Sequence, residues 1–262
     1  MTADAGAGST AAPTCPRHPS TVAYVRCQRC ERPTCPACQR PAAVGILCVD
    51  CVNEARKQQR PLKSRLGFTA AAGPPYVTYT LIALNVAVFL VAPALFAGSW
   101  AQALGLWPDF IPELGVVVPD AGDEWWRWLT AGFVHFGILH LGMNMYVLFQ
   151  FGSMLEPALG RARYVALYAG SLLGSSAMVW LLGDLGSVHG GASGAIFGLL
   201  AAYGIVLRKL KLPYQSLATL AGIWLVAGFF VPGLSWEGHL GGAIAGAIIM
   251  VAMLGTVNRV RT

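Results

Sequence analysis

The sequence predicts an all-α polytopic membrane protein, in which a bundle of six transmembrane helices follows a small Cys/His zinc-finger module. Three observations lead to this class. Of the 262 residues, 55% are hydrophobic and only 11% are charged, whereas a soluble domain carries about a quarter charged residues. Long apolar runs of membrane-spanning length recur beyond residue 75. All seven cysteines fall within the first 51 residues, outside the apolar region.

The N-terminal part of the chain is predicted to stay in the cytoplasm. Residues 1–14 are small and low in complexity, so we expect them to be disordered. They lack the basic region and the apolar core of a signal peptide. The net charge of +6 does not indicate nucleic-acid binding, because the basic residues lie before and between apolar runs rather than on one amphipathic face. No nucleic-acid partner is expected.

Residues 15–52 are predicted to form a module that binds two zinc ions. Four pairs of Cys or His residues, each with two residues between its members, supply eight ligands, enough for two tetrahedral sites. No coordination position stays open, so the zinc should be structural, and no cofactor is expected for catalysis. A disulfide-stapled module conflicts with the odd number of cysteines and with a reducing cytosol. The pairs are Cys15/His18, Cys27/Cys30, Cys35/Cys38 and Cys48/Cys51.

This spacing resembles that of B-box and similar cross-braced zinc fingers, over about 40 residues. The resemblance implies that the first and third pairs share one ion and that the second and fourth share the other. A sequential pairing stays open. Because such a small segment has little core, the metal should hold its fold. We expect the module to bind a cytosolic protein partner, and residues 53–75 to form a basic helix or linker.

Residues 76–256 contain the six apolar runs that predict the membrane bundle, and residues 257–262 form a tail. A spanning helix needs about 20 residues, within a range of about 17–25. The fourth run is unusually short, but six spans is the best count. The predicted spans are Tyr76–Phe96, Phe136–Leu155, Tyr164–Leu182, Gly191–Leu207, Tyr214–Val231 and Glu237–Leu254.

The charge pattern orients this bundle. Connections after an even number of spans carry basic residues, at 161–163 and 208–211, whereas the long loop 97–135 carries several acids and a single basic residue, Arg127. By the positive-inside rule, both termini lie in the cytoplasm. The expected location is the plasma (inner) membrane of a bacterium. The tryptophans of the loop 97–135 favour a position in the outer membrane interface.

Polar residues inside three of the predicted spans mark a candidate site. His140 and Asn144 share one face of the second span, Ser193 lies near the start of the fourth, and His239 lies near the start of the sixth. The predicted orientation puts all of them in the outer half of the membrane, so they can meet. Taken singly, each residue could serve an interhelical hydrogen bond or close packing. Together they favour a site facing a water-filled cavity.

These motifs resemble those of the rhomboid intramembrane serine proteases, over roughly residues 76–256. The resemblance implies a six-helix bundle with a Ser–His dyad in a water-filled cavity open to the outside. It also implies that the lipid bilayer and membrane proteins are the partners, with cleavage of transmembrane or membrane-anchored substrates near the extracytoplasmic boundary. The matching patterns are His135-x4-His140-x3-Asn144, Gly191-x-Ser193-Gly194 and His239-x2-Gly242-x3-Gly246, joined by Trp126-Arg127 and Gly152-x3-Glu156-x3-Gly160.

The catalytic roles follow from this resemblance and from the chemistry of the residues. Ser193 is expected to be the nucleophile, with His239 as general base and then general acid. No carboxylate is well placed to orient the base, so we expect a dyad rather than a triad. The oxyanion donors would be the Ser193 backbone N–H, the Asn144 amide and the His140 ring.

Residues around the dyad have expected supporting roles. Phe197, one turn after Ser193, should pack against the His239 ring, at a position where rhomboids often have tyrosine. Gly242 and Gly246 should let the sixth span approach the fourth closely.

The positions of four further residues in the sequence predict their roles. His189 is a rival base, disfavoured because a loop residue beside the nucleophile is poorly fixed for proton transfer. Arg127 and Glu156 are expected to be structural. His135 is expected at the mouth of the cavity.

Two other function classes compete with proteolysis. A catalytically inactive rhomboid-like membrane binding or scaffold protein would lack Ser193 or His239, and both are present. A transporter with a broken fourth helix would need paired charges at mid-membrane or inverted-repeat symmetry, and the sequence contains neither.

Overall fold

A computed structural model describes residues 12–58, 62–98, 100–106, 110–111, 116–117, 125–183, 187–231 and 233–261 of the chain. The contacts divide the chain into two units, Met1–Pro61 and Leu62–Thr262. Residues 1–11 of the predicted disordered segment, most of the acidic part of the loop 97–135 and the last residue of the predicted tail lie outside the described residues. Thr14, also predicted to be disordered, forms the start of the first strand.

The first unit is built around its cysteines. The side chains buried in its two apolar clusters are cysteines and Ala23. A core this small cannot hold a fold by burial of apolar surface alone. The regular elements are β1 (Thr14–Cys15) paired antiparallel with β2 (His18–Val22), a 3-10 turn (Pro36–Cys38), β3 (Gln39–Pro41) paired antiparallel with β4 (Ile46–Cys48), and α1 (Val49–Gln58).

Each of the six predicted apolar runs forms a helix in the second unit, and the long loop between the first two runs carries short elements. The all-α membrane class and its preceding Cys/His module are therefore confirmed. The elements are α2 (Tyr76–Leu95), α3 (Trp100–Leu104), β5 (Phe110–Ile111) paired with β6 (Val116–Val117), α4 (Arg127–Thr130), α5 (Ile138–Leu159), α6 (Arg161–Leu182), α7 (Ser193–Lys209), α8 (Gln215–Ala227) and α9 (Trp236–Arg261).

The lengths of these helices differ from the prediction of six full spans. Among the described residues, four helices are long and apolar enough to cross a membrane, namely α2, α5, α6 and the Trp236–Thr256 part of α9. α7 has 17 residues and α8 has 13. α7 is short because Gly191, at φ +134°, keeps the chain before it out of the helical conformation, and α8 ends at Gly228, where the helix gives way to turns.

Close backbone contacts hold α7, α9 and α6 together at the centre of the bundle. A methyl group added at Gly242 would collide with the carbonyl oxygen of Gly194, and one added at Gly246 would collide with that of Gly198. Helices without bulky side chains at a crossing can approach until their backbones touch. The expectation that these two glycines bring the sixth span against the fourth is therefore confirmed.

The predicted linker 53–75 does not behave as a free linker along its length. α1 continues to Gln58, and the segment from Leu62 onward folds onto the second unit. Leu66 and Phe68 are 3% and 1% exposed and belong to the main core of that unit. Their apolar side chains enter that core because Gly67, at φ +90°, turns the backbone between them.

Glu156 fastens the first turn of α2 to the end of α5. Its fully buried carboxylate accepts hydrogen bonds from the Val77 N–H at 3.1 Å, and from the Thr78 N–H and hydroxyl at 2.9 Å each. The Arg161 Nε lies 3.8 Å away. The first N–H groups of a helix have no partner within the helix, and a carboxylate satisfies them well. The structural role expected for Glu156 agrees with these contacts.

Candidate active site and metal centres

Ser193 is the first residue of α7, because the backbone just before it has a non-helical conformation at Gly191. Gly191 has φ +134°, a conformation that residues with a side chain rarely adopt. Its N–H donates to the carbonyl of Ala131 at 2.9 Å. Ala192 is fully buried. The chain therefore enters the helix at Ser193 itself, and the side chain of Ser193 lies at the positive end of the helix dipole.

His239, near the start of α9, reaches across to this serine. Its Nε2 lies 3.0 Å from the Ser193 Oγ, the geometry of a hydroxyl that donates to a neutral imidazole. The ring is 4% exposed, and its Nδ1 has no hydrogen-bond partner among the described residues. The nearby Glu237 accepts from the Ser235 hydroxyl at 3.0 Å. Within the part of the chain that the structure describes, the arrangement is therefore that of a Ser–His pair without a carboxylate bonded to the far side of the ring.

Phe197 fixes the plane of the His239 ring. The two rings are stacked, with centroids 4.2 Å apart and planes inclined by 10°. Phe197 lies one turn after Ser193 on α7, so the helix that carries the candidate nucleophile also carries the surface on which the imidazole rests. The expected packing is observed.

His140 and Asn144 lie on the face of α5 that meets the start of α7. A methyl group added at Gly191 would lie 2.9 Å from the His140 Nε2 and 3.5 Å from the Ser193 Oγ, so both groups border the same small space. The Asn144 amide donates to the His140 carbonyl at 2.9 Å. The structure therefore brings together Ser193, His239 and the His140 ring, with Asn144 one turn behind His140.

Two other histidines differ from their expected environments. His135 is fully buried rather than at a cavity mouth, and its ring packs 4.9 Å, centroid to centroid, from that of His140. A 3-10 turn, Ala131–Phe133, precedes it and directs the chain inward at the buried Val134. His189 is held firmly, since its backbone exchanges two hydrogen bonds with Leu106, at 2.7 and 2.9 Å. The premise that it is poorly fixed is wrong, but the ring within hydrogen-bond distance of the Ser193 hydroxyl is that of His239.

A cavity of about 930 Å³ opens beside the dyad, between α5, α7 and α8. Ser193, His239, His140 and Asn144 lie on its wall, and most of the remaining lining is apolar. No side chain of α8 is buried among the described residues, so this helix forms a loosely packed side of the cavity.

Two small residues on α6 were missed by the sequence reasoning. Ser175 lies directly against Gly194, and Ser171 lies against Gly198. Both serines therefore pack against α7, the helix that carries the candidate nucleophile. Their spacing of four residues is a recognisable signal for a helix face that meets another helix closely.

The eight predicted ligands of the first unit form two clusters of four, in the interleaved order that the cross-braced resemblance implied. The ligand atoms of each cluster lie within 4.8 Å of one another. The first cluster is Cys15, His18, Cys35 and Cys38, and the second cluster is Cys27, Cys30, Cys48 and Cys51.

The dimensions of both clusters fit a tetrahedral metal ion. With a metal–sulfur distance of about 2.3 Å, two sulfurs of a tetrahedral site lie about 3.8 Å apart. The sulfurs of Cys30 and Cys48 are 3.7 Å apart. The His18 Nδ1 lies 3.8, 3.2 and 3.4 Å from the sulfurs of Cys15, Cys35 and Cys38. Hydrogen bonding from the Cys35 backbone lowers the pKa of the Cys15 thiol to about 6, whereas burial raises the pKa of the Cys38 thiol in the same cluster to about 11. A bound divalent ion would stabilise both as thiolates.

Comparisons with known proteins identify the second unit. Residues 122–256 match the family model of the Rhomboid domain. The chain is 33% identical over 180 residues to the putative rhomboid protease YdcA of Bacillus subtilis, covering 67% of this chain and 86% of that protein. It is 27% identical over 237 residues to the rhomboid protease AarA of Providencia stuartii, covering 78% and 82%. The rhomboid protease GluP of Bacillus subtilis is 29% identical over 186 residues, which are 69% of this chain but only 35% of GluP.

Proposed function

This chain belongs to the rhomboid family and is a rhomboid-type serine protease, and on that premise we propose that Ser193 and His239 are its catalytic dyad. The observation that carries the assignment is the 3.0 Å contact between the Ser193 Oγ and the His239 Nε2. In the proposed reaction, Nε2 takes the hydroxyl proton as Oγ attacks the peptide carbonyl, and then returns it to the leaving amine. Water, activated by the same ring, hydrolyses the acyl-enzyme.

The ring of His239 reaches this position without a carboxylate. In a triad, the third residue holds the imidazole in orientation. Here, stacking on Phe197 supplies that constraint, since a ring held 4.2 Å from a parallel partner cannot rotate freely. We infer that Phe197 takes over the orienting part of the role of a third residue, without its charge.

Asn144, His140 and the Ser193 backbone N–H are the proposed oxyanion donors. An amide carries two N–H donors, and Asn144 uses one on the His140 carbonyl, which leaves the other for substrate. The His140 Nε2 borders the same space as the Ser193 Oγ. One such donor is worth about 3 kcal/mol in the transition state of a soluble protease. Asn144→Ala should therefore lower kcat by about a hundredfold, with a smaller change in KM.

The substrates are membrane proteins, and we propose that they are cleaved near the extracytoplasmic boundary of the bilayer. The large apolar cavity beside the dyad suits an unwound segment of an apolar helix. The basic connections at 161–163 and 208–211 support cytoplasmic N- and C-termini, which would put Ser193 in the outer half of the membrane. The proposed location of this integral membrane protein is the bacterial plasma membrane.

The experiment that tests the dyad is cleavage of a single-span model substrate by the purified full-length protein in lipid vesicles. Ser193→Ala and His239→Ala should each abolish cleavage, while substrate binding and thermal unfolding stay near wild type. His189→Ala is the matched control and should retain cleavage within about tenfold, as general-base loss costs about 10²- to 10⁴-fold. Cleavage that persists in Ser193→Ala would overturn the assignment. A wild-type protein that binds the substrate without cleaving it would favour the scaffold alternative instead.

For the N-terminal unit, we propose that each of the two clusters binds one structural zinc ion and that the folded module recruits a cytosolic protein. Four protein ligands fill each site, so zinc would supply cross-links between chain segments rather than chemistry. The full-length protein should contain two zinc ions by elemental analysis. A metal-free chain with disulfides would contradict the first proposal. Deletion of residues 1–55 should change the binding partners or the cleavage pattern in cells, and no change in either would contradict the second.

A further inference from the structure

Arg32 is not one of the eight ligands, yet it contacts two of them. Its Nε donates to the Cys30 Sγ at 3.3 Å, and its Nη2 lies 3.9 Å from the Cys48 Sγ. Among the described residues, no other Arg or Lys side chain donates to a cysteine sulfur. Both of these sulfurs belong to the second cluster, so the guanidinium serves one metal centre and not the other.

The two clusters differ in the charge that they would carry. A divalent ion bound by four thiolates has a net charge of −2, whereas three thiolates and a neutral imidazole leave −1. The second cluster is the four-thiolate one. Backbone N–H groups, which are uncharged, also donate to its sulfurs, the Cys48 N–H to Cys27 at 3.2 Å and the Cys51 N–H to Cys48 at 3.4 Å. Arg29 donates to the Cys51 carbonyl at 3.2 Å and not to a sulfur. Among the described residues, Arg32 is thus the cation that contacts the sulfurs of the more negative centre.

An aspartate holds the guanidinium in place. Asp50 Oδ2 lies 3.3 Å from the Arg32 Nη2, and its other oxygen, Oδ1, lies 3.2 Å from the Arg17 Nε. The side chains of Arg32 and Arg17 are similarly exposed, at 46% and 52%. Arg17 shares the carboxylate, but its guanidinium donates to no cysteine sulfur among the described contacts. The chain therefore offers an internal control for the ion pair alone.

We propose that Arg32 is a positioning residue of the Cys27–Cys30–Cys48–Cys51 centre, which orients and partly neutralises the thiolates of Cys30 and Cys48 and so strengthens metal binding there selectively. The inference rests on the proposed binding of metal by this cluster. Groups that hydrogen-bond to metal ligands commonly change metal affinity by about 10- to 100-fold. A lysine cannot replace this arginine fully. Its ammonium group is a point charge, whereas the planar guanidinium can direct separate N–H groups at the Cys30 and Cys48 sulfurs.

The test is a chelator competition on the full-length protein in detergent, with Co²⁺ in place of zinc. Four-thiolate and three-thiolate, one-imidazole Co²⁺ sites differ in visible absorption, so the spectrum identifies which centre is emptied. Arg32→Gln should release Co²⁺ from the four-thiolate centre at a chelator concentration at least about tenfold lower than wild type. The other centre should retain its metal. Arg32→Lys should fall between, and Arg17→Gln should behave as wild type.

Four results would overturn the inference. The first is an Arg32→Gln variant that holds both ions as tightly as wild type. The second is an Arg32→Gln variant that loses both ions equally, which would assign Arg32 to the fold of the whole module. An equal loss in Arg17→Gln would assign the effect to the Asp50 ion pair. A wild-type chain that binds no Co²⁺ would overturn the metal proposal itself, and with it this inference, before any variant is compared.

Discussion

The phenyl ring of Phe197 lies flat against the imidazole of His239, so one turn of α7 supplies both the candidate nucleophile and the support for its base. The contact joins two helices whose backbones already touch at Gly242 and Gly194. In the proposed dyad, orientation of the base would therefore depend on packing between helices, since among the described residues the His239 Nδ1 has no charged partner.

Replacement of the Phe197 ring, which stacks on His239, should impair the chemical step of cleavage more than substrate binding. In Phe197→Ala the imidazole loses its parallel partner, and a misplacement of about 1 Å at a reacting group can cost about 100-fold. We expect kcat to fall by about 10- to 100-fold with KM nearly unchanged, and Phe197→Tyr to stay near wild type. Steady-state cleavage of a model substrate measures both. Phe151→Ala, which removes an aromatic contact to Tyr203 instead, is the control, and an equal loss of kcat there would argue against a specific role for stacking.

The close crossing of α7 and α9 should not tolerate a methyl group. Gly242→Ala drives a side chain into the carbonyl of Gly194, and overpacking of this kind costs about 1–3 kcal/mol. Separation of the helices would also lengthen the hydrogen bond between Ser193 and His239. We expect lower thermal stability and loss of cleavage. Gly255→Ala lies on the same helix with nothing within 4 Å of the added group, and should leave both unchanged.

The second unit should depend on residues that precede its first apolar helix. Leu66 is 3% exposed and Leu62 is 81% exposed, a matched pair of leucines in one segment. Removing a buried leucine side chain costs about 2–5 kcal/mol, whereas exposed substitutions usually change stability by less than about 0.5 kcal/mol. The free energies of unfolding of Leu66→Ala and Leu62→Ala, measured in detergent, give the difference in stability. Equal stability of the two variants would mean that the membrane bundle begins only at α2.

The hydrogen bond from the Thr78 hydroxyl to the Glu156 carboxylate should contribute measurably to the attachment of α2 to α5. Thr78→Val removes one of the donors to a fully buried carboxylate, and a hydrogen bond to a charged group is worth about 1.5–3 kcal/mol. Thr80→Val is the control, because that hydroxyl is exposed and donates only to the Tyr76 carbonyl in the same helix. Hydrogen exchange of the first turn of α2 should accelerate in Thr78→Val alone. Similar exchange in the two variants would show that the Thr78 hydroxyl does not help to hold this end, where Glu156 still accepts from two backbone N–H groups.

Metal removal should unfold the first unit and leave the second folded, since each has its own core. A strong chelator should accelerate hydrogen exchange throughout residues 15–51 and should not change exchange within α5, α6 and α9. Mass-resolved exchange of the full-length protein reports both regions at once. Unchanged exchange in residues 15–51 after complete metal removal would contradict a metal-held fold.

The sequence was informative where one physical rule dominated. Apolar run length located every helix of the bundle, because burial in lipid requires continuous apolar side chains. Ligand spacing located both clusters, because few arrangements of eight such residues at this spacing serve another purpose. The polar residues Ser193 and His239 stood out in an apolar background and lie in contact.

Features that depend on side-chain contacts distant in sequence were harder to predict. Nothing local distinguishes Leu66 and Phe68, in a basic and polar segment, from linker residues, so their burial emerged only from the structure. The backbone of His189 is held by two hydrogen bonds to Leu106, which lies 83 residues earlier in the sequence. The short α8 was overestimated because hydropathy continues through Phe229 and Phe230 after the helix ends.

The carboxylate of Glu156 also has a consequence for biogenesis. Its hydrogen-bond donors lie at Val77 and Thr78 in α2, the first of the apolar membrane helices to be synthesised, while the acceptor arrives only with the end of α5. A chain that inserts α5 without correctly seated α2 carries an uncompensated carboxylate in an apolar environment, a state of high free energy. Correct docking of the two helices neutralises that penalty in one step. The buried carboxylate therefore makes the free energy of the bundle depend on the docking of α2 against the end of α5.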